Sequence, residues 1–567
     1  MATKFHHPTF SKNFLRRICQ IKSPDAMLED AKSEGLEKTL GVWDLIILGI
    51  GAIIGAGIFA IVGVAAAGQN GAGPALAISM VIAAFACVFS ALCYCEFATM
   101  IPVAGGAYTY TFATLGEFAA WMVGWVLLLE YAIGFIVVAS AWSNHFVQFM
   151  KGFSNSLPAW LANPPIWLVS DIDSATKTLS AEGVDPITVI PTISSLLPNM
   201  GIMHFLAVKM PVFAQPLTDF LAKAWNFMAQ MPICLNIPAA VVIILSTMIL
   251  IKGTKDSAKM TAIMVVIKVA VIALFVLVGL FYVKPANWTP FAPNGYSGIF
   301  NGAFLIFFAY IGFDAIATVA EECKNPQRDL PIGIIGSLVA ATIVYVLVAL
   351  VMTGMYPTSG FVPAEFIKAP MAFVMSEIAH QDWVAGLISI GSLAGLTSVL
   401  LVMELAAIRV LYAMSRDNFI PKKLQMLHKK YHTPYVLTWL VGILSVIGVM
   451  TLDLQAAAEL CNFGTFTSFI VVCVAVLILR HTDPDRPRPF KVPFSPWFPT
   501  IGILCCGGLM VYKLMQSGES NSALLFPVWL GLGALIYFNY GFRSNRKYEN
   551  AVHLERVEQK KLELFNE

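Results

Sequence analysis

The chain has 567 residues, of which 58% are apolar and 12% charged, with a formal net charge of +2. An ordinary soluble domain carries roughly 25% charged residues, so this composition cannot coat a water-facing globule. A charge so close to balance gives no reason to expect nucleic acid as a partner.

The apolar residues fall into runs of about twenty, the length that crosses a bilayer core at 1.5 Å rise per residue. Residues 1–40 are polar, lack the apolar core and cleavage site of a secretory signal, and read as a cytoplasmic tail. Spans are predicted near 41–66, 74–100, 119–146, 237–251, 261–283, 298–320, 332–355, 384–411, 435–452, 456–479, 498–516 and 524–541, before a second cytoplasmic tail over 542–567. Lysines and arginines gather in alternate connections, among them Lys252, Lys324, Arg416, Lys423, Arg480 and Arg488. The other loops hold almost none, which predicts both termini inside a cell membrane, plasma or bacterial inner.

In the first span the string GIGAIIGAGIF places glycine at 49, 51, 55 and 57. Glycine leaves helical dihedrals cheaply and lets a ligand approach the backbone, whereas the alternative is close helix packing through small residues. Glu96 lies at the cytoplasmic end of the second span and, with Glu321 and Glu322, is expected to form gate salt bridges with Lys324, Arg328 or Arg416. Glu130 is an acid within the third span, for which an interhelical hydrogen bond is one reading. Residues 151–236 form a long, proline-rich, outward-facing insertion. In it Phe213, Leu217, Leu221 and Met228 follow the spacing of an amphipathic surface helix.

Lys268 sits mid-way along the fifth span among Val265, Val266, Ile267 and Val269, where an ammonium must find carbonyl or carboxylate partners. The sixth span is interrupted at FFAYIGFDA, with Gly312 and the membrane-embedded Asp314 between aromatics. Two interruptions five helices apart point to an inverted repeat with its ligand site at the midplane. Unwinding the first helix frees N–H groups at Ile54, Gly55, Ala56 and Gly57, suited to a carboxylate. Carbonyls at Ala309, Tyr310 and Ile311 suit an ammonium, and Phe308 is either an aromatic gate over the ligand or a packing residue. A free α-amino acid carries both charged groups. In the eighth span Glu404 is expected to pair with Arg409 in a structural role, while Thr397 and Ser398 offer hydroxyl oxygens.

The strings GIGAIIGAGIF, EFATMIPVAGGAYTY, MVVIKVAVIALF, YIGFDAIATVAEECKNPQRDLP, RVLYAMSRDNFIP, ELCNFGTFTSF and DRPRPFKVP occur in that order between about residues 36 and 500. They resemble the amino acid, polyamine and organocation superfamily, and within it the cationic amino acid transporter family. The resemblance implies an all-α, LeuT-like five-plus-five inverted repeat: 41–283 as the first repeat with the 151–236 insertion, 298–479 as the second, and two additional helices over 498–541. It further implies that Glu130 lies close to the substrate side-chain pocket, and that Lys268 stands where sodium-coupled relatives hold their ion and carries the coupled proton, the alternative being a fixed cation that bonds the carbonyls near Gly51.

The expected activity is proton-coupled symport of small neutral or broad-range L-amino acids. Its rivals are obligate exchange, sodium coupling through Thr397 and Ser398, and an amino acid receptor without uptake. No enzyme chemistry, metal site or cofactor is expected, since the nine histidines are scattered and no phosphate-binding loop follows a strand. The sequence names no protein partner.

Overall fold

The computed structural model describes residues 20–22, 24, 27, 40–67, 70–103, 105–152, 158, 164–181, 183–192, 234–318, 320, 323–358, 362–431, 433–516 and 522–542. Within them no β-strand forms, and helices of membrane-crossing character follow one another along the chain. They are α1 (Val42–Ile53 and Gly57–Ala67), α2 (Gly73–Met100), α3 (Glu117–Lys151), α4 (Ile237–Lys252), α5 (Met260–Tyr282) and α6 (Gly295–Thr318). The second half contains α7 (Pro326–Met355), α8 (Asp382–Arg416), α9 (Tyr435–Thr451), α10 (Leu454–Thr482), α11 (Trp497–Met515) and α12 (Leu524–Gly541). Nine of the described helices are long and apolar enough to cross alone, and the two pieces of α1, bent by 41°, make a tenth. Helices α4 and α9 are apolar but shorter, at 16 and 17 residues.

Local chemistry explains several boundaries. The Asp453 carboxylate accepts the N–H groups of Gln455 and Ala456 at 2.7 and 3.2 Å, capping α10. Pro326 opens α7, where a missing N–H costs nothing. The interior is built where α3 runs along α8 and α10, α2 lies against α7, and α1 wedges between α7 and α8. Apolar side chains such as Val266, Phe281, Ile443, Leu444, Leu504 and Val528 project outward from α5, α9, α11 and α12, a surface compatible with lipid as solvent.

On the face where α1 begins and α12 ends, here called the terminal face, part of the amino-terminal segment docks. The Lys22 N–H donates to the Phe112 carbonyl at 3.1 Å, its ammonium lies 3.5 Å from Asp417, and Met27 is buried. Asp417 also accepts the Tyr108 hydroxyl at 2.6 Å.

The insertion between α3 and α4 contains short helices at Ile172–Ala181 and Pro186–Val189. They close around Ala175, Leu179, Ile190 and Cys234, with Trp167 packed alongside. Asp171 accepts the Ser174 N–H at 2.8 Å, and burial pushes its carboxyl above the usual carboxylate range. Burial likewise raises the Cys234 thiol to about 11. The amphipathic segment expected around Phe213 to Met228 lies outside the described residues, as do Glu321 and Glu322.

Candidate substrate site

The first span breaks at Ile54, whose backbone is extended, and resumes as a π-helical turn over Gly57–Ile61. The N–H groups of Ile58 and Phe59 both turn back on the Gly55 carbonyl, at 3.2 and 3.3 Å. Ala56 and Gly57 therefore start a new helix, and their N–H groups have no preceding carbonyl in register. The sixth span tightens into a 3₁₀ turn at Phe307–Tyr310, extends at Ile311 and resumes at Phe313. Gly312 makes this possible with a φ of +121°, a left-handed value, and a Cβ there would meet the Ala52 backbone at 2.9 Å.

The four glycines of α1 divide their work. A Cβ at Gly49 would strike Ser337 of α7, one at Gly51 Val265 of α5, one at Gly55 Val399 of α8, and one at Gly57 the Ala309 backbone of α6. Packing and site-building are thus both served by one string. Ile54, Gly55, Ala56 and Gly57 are buried, as are Phe308, Ala309, Tyr310 and Ile311, and the two breaks touch where Gly57 abuts Ala309.

Lys268 reaches this junction from α5. Its ammonium donates to the Gly51 carbonyl at 2.5 Å, to the Ile54 carbonyl at 2.6 Å and to the Ser398 hydroxyl at 3.2 Å, and the residue has no exposed surface. One cation therefore joins α5, the broken end of α1 and α8. Thr397, the neighbouring hydroxyl, is turned elsewhere, accepting the Trp142 indole N–H at 3.1 Å and donating to the Leu393 carbonyl.

A residue that sequence reasoning passed over sits opposite. The Tyr345 hydroxyl, from α7, lies 2.8 Å from the Ile53 carbonyl and 2.8 Å from the Ala309 carbonyl. It has one proton, so it serves one of these acceptors at a time. Of the carbonyls expected for an ammonium, that of Ala309 is thus shared with Tyr345. The Tyr310 side chain points away, its hydroxyl donating to the Met80 carbonyl of α2 at 3.0 Å. The sequence offers no signal for Tyr345 beyond a polar tip in an apolar span.

On the terminal-face side of the α6 break lies a second polar cluster. Asp314 accepts the Tyr131 hydroxyl and, at 3.1 Å, the Gly312 N–H. Glu130 accepts the Ser468 hydroxyl at 3.2 Å through one oxygen, while its other oxygen is buried without a partner.

Two pairings expected from sequence are corrected. Glu404 meets Ser246 and Thr247 of α4, at 2.8 and 2.6 Å, instead of Arg409. A helix pitch of 100° per residue swings position 409 away from 404, and the nearer hydroxyls of α4 fill both carboxylate oxygens. Glu96 is salt-bridged, but to Arg480 at 2.5 Å and Arg488 at 3.4 Å instead of Lys324, Arg328 or Arg416, and it also accepts the Val492 N–H at 2.7 Å. The end of α2 is therefore clasped to the end of α10 and to the link into α11. The arginines belong to the strings LILRH and DRPRPFKVP, which gave no hint of a partner in α2, 384 residues before Arg480.

The model of the family described as amino acid permease matches residues 40–535, nearly the whole of the described bundle. The chain belongs to that family. Its similarity to the branched-chain amino acid permease BcaP of Bacillus subtilis is 38% identity over 522 residues, 92% of this chain and 97% of the relative. The methylthioribose transporter of the same organism is 36% identical over 519 residues, covering 92% and 96%. Chloroplastic cationic amino acid transporter 9 of Arabidopsis thaliana is 33% identical over 546 residues, covering 95% and 84%. The permease is thus a multi-pass membrane protein of LeuT-like, five-plus-five architecture, with α1 and α6 as its discontinuous helices.

Proposed function

We propose that this permease imports small neutral L-amino acids together with a proton by alternating access. The observation that carries the reading is the Lys268 ammonium, buried in α5 and bonded to the Gly51 and Ile54 carbonyls and to Ser398. A cation there occupies the ground a sodium ion would need, and Thr397 is committed to Trp142 and Leu393. A lysine amine changes charge when its solvation changes, which a fixed metal ion cannot do.

Substrate binds where the two breaks meet, its carboxylate at the N–H groups of Ala56 and Gly57 and its ammonium at the carbonyls of the α6 break. Phe308 closes over it, and Glu130 stands toward the side-chain end. Helices α1, α2, α6 and α7 rock against α3, α4, α8 and α9, and loss of the Lys268 proton on the inward side loosens α1 from α5 and α8. Both termini face the cytoplasm, as the distribution of lysine and arginine implies.

The names of the relatives specify branched-chain amino acids, methylthioribose and cationic amino acids, so the scaffold alone does not set the substrate. Glu130 bonds Ser468 through one oxygen and keeps the other unpartnered, so a substrate panel decides between neutral and cationic side chains.

The deciding experiment is uptake into proteoliposomes of each of the twenty amino acids under an inward proton or sodium gradient. A proton gradient is expected to drive accumulation, and Lys268→Met to abolish it while sparing exchange. Uptake driven by sodium and indifferent to pH refutes the coupling; exchange without net uptake in the parent makes it an obligate exchanger; saturable binding without any flux makes it a receptor.

A further inference from the structure

One ionised pair lies partly outside the ten-helix repeat. Lys513 on α11 is only 7% exposed, and its ammonium stands 2.8 Å from the Glu459 carboxylate of α10. Gln455 donates to the same carboxylate at 3.1 Å. Charges buried within spans are costly, and two helices can adhere through apolar contacts alone.

The surroundings of the pair lead to α6. The Lys513 ammonium lies 5.5 Å from the centre of the Phe304 ring, in the cation–π range. The Phe304 carbonyl borders the 3₁₀ turn at Phe307–Tyr310, where the α-helical bonding pattern ends, and it takes its donor from Asn462 of α10 at 2.6 Å. Asn462 is one turn beyond Glu459. Ion pair, α10 backbone, amide bond and aromatic face therefore form a closed ring of four residues. From the adjoining positions of α11, the Tyr512 hydroxyl donates to the Ser297 carbonyl at 3.2 Å and Gln516 donates to the Ser297 hydroxyl at 3.3 Å. The Tyr512 ring also meets that of Phe300 at 5.5 Å. Thus α11 holds the first half of α6 at both its ends.

We propose that Lys513 is a positioning residue for the transport cycle: through Glu459 and Phe304 it latches the first half of α6, so that α11 sets how readily the site opens toward the face opposite the termini. The proposal rests on the alternating-access reading above, in which that half of α6 moves.

Hydrogen–deuterium exchange of the full-length protein in nanodiscs reads Gly295–Ile306 directly and needs no substrate. In Lys513→Met, exchange across this segment is expected to rise by about tenfold, while that of α8 stays at the parent rate. Uptake of radiolabelled L-alanine, a small neutral substrate, is expected to change in maximal rate by about threefold or more with its KM little altered. Lys513→Arg, which keeps the charge, is expected to return both readings toward the parent.

Unchanged exchange in 295–306 overturns the proposal, as does a rise spread evenly over the bundle, which is what plain adhesion between α10 and α11 produces. Should Lys513→Met fail to fold, Phe304→Leu removes the ring under the ammonium and leaves the ion pair in place; faster exchange confined to the same segment supports the latch, and none refutes it. Silent uptake with faster local exchange sinks the substrate assignment and leaves the latch standing.

Discussion

Replacing Tyr345 by phenylalanine removes one oxygen and leaves the packing of α7 intact, so its effect isolates a single hydrogen-bonding group. That hydroxyl stands 2.8 Å from the carbonyls of both Ile53 and Ala309, one from each broken helix. One proton cannot satisfy two acceptors at once, so the loss amounts to one hydrogen bond, with a buried acceptor left unpaired at a cost of about 1 to 3 kcal/mol. The penalty applies only to the conformation in which both carbonyls are shut away from water. Opening the junction hydrates them, so Tyr345→Phe shifts the balance toward open states by roughly 5- to 150-fold. Substrate that binds by closing the junction then pays that difference, and its apparent affinity weakens by about 30-fold near the middle of the range. Thermal-shift titration of the purified protein with its transported amino acid measures this. Tyr310→Phe is the control, because its hydroxyl serves α2 at Met80 and not the junction. Equal affinities for parent and Tyr345→Phe, or equal losses for Tyr345→Phe and Tyr310→Phe, refute the reasoning.

Three further outcomes are expected. Gly57→Ala should abolish transport, because its methyl group would overlap the Ala309 backbone; uptake by a normally folded, normally expressed variant checks it. Glu96→Gln keeps the shape of the side chain but strips the charge that Arg480 and Arg488 share, so thermal stability should fall by the equivalent of about 1.5 to 3 kcal/mol, read by denaturation in detergent. Glu404→Ala should destabilise by about 1 to 3 kcal/mol, because it removes the carboxylate that accepts from both the Ser246 and Thr247 hydroxyls and leaves them only the Ile243 carbonyl. Arg409→Ala combined with Glu404→Ala should then be additive, whereas a direct Glu404–Arg409 pair would make the double mutant milder than the sum.

The spans were readable because apolar runs of bilayer length leave few alternatives, and both interruptions were readable because glycine and an acid are conspicuous among apolar residues. Lys268 stood out for the same reason, a charge where none is cheap. What sequence could not supply was azimuth and partner. Glu404 has an obvious basic neighbour in the chain, yet its nearest donors belong to a helix about 160 residues earlier, reached through packing alone. For Glu96 several basic clusters compete on that face, and choosing Arg480 and Arg488 over the expected Lys324, Arg328 or Arg416 requires the approach of α10 to α2. Tyr345 was missed because tyrosine in an apolar helix is unremarkable until two opened backbones converge on it.

The abutment of Gly57 on Ala309 has an evolutionary corollary. Any side chain at position 57 collides with a neighbouring main chain, so purifying selection would hold glycine there even in a relative whose ligand never touches it. Invariance at 57 across divergent family members would therefore report the steric demand of two crossing backbones and would not, by itself, mark a contact with cargo.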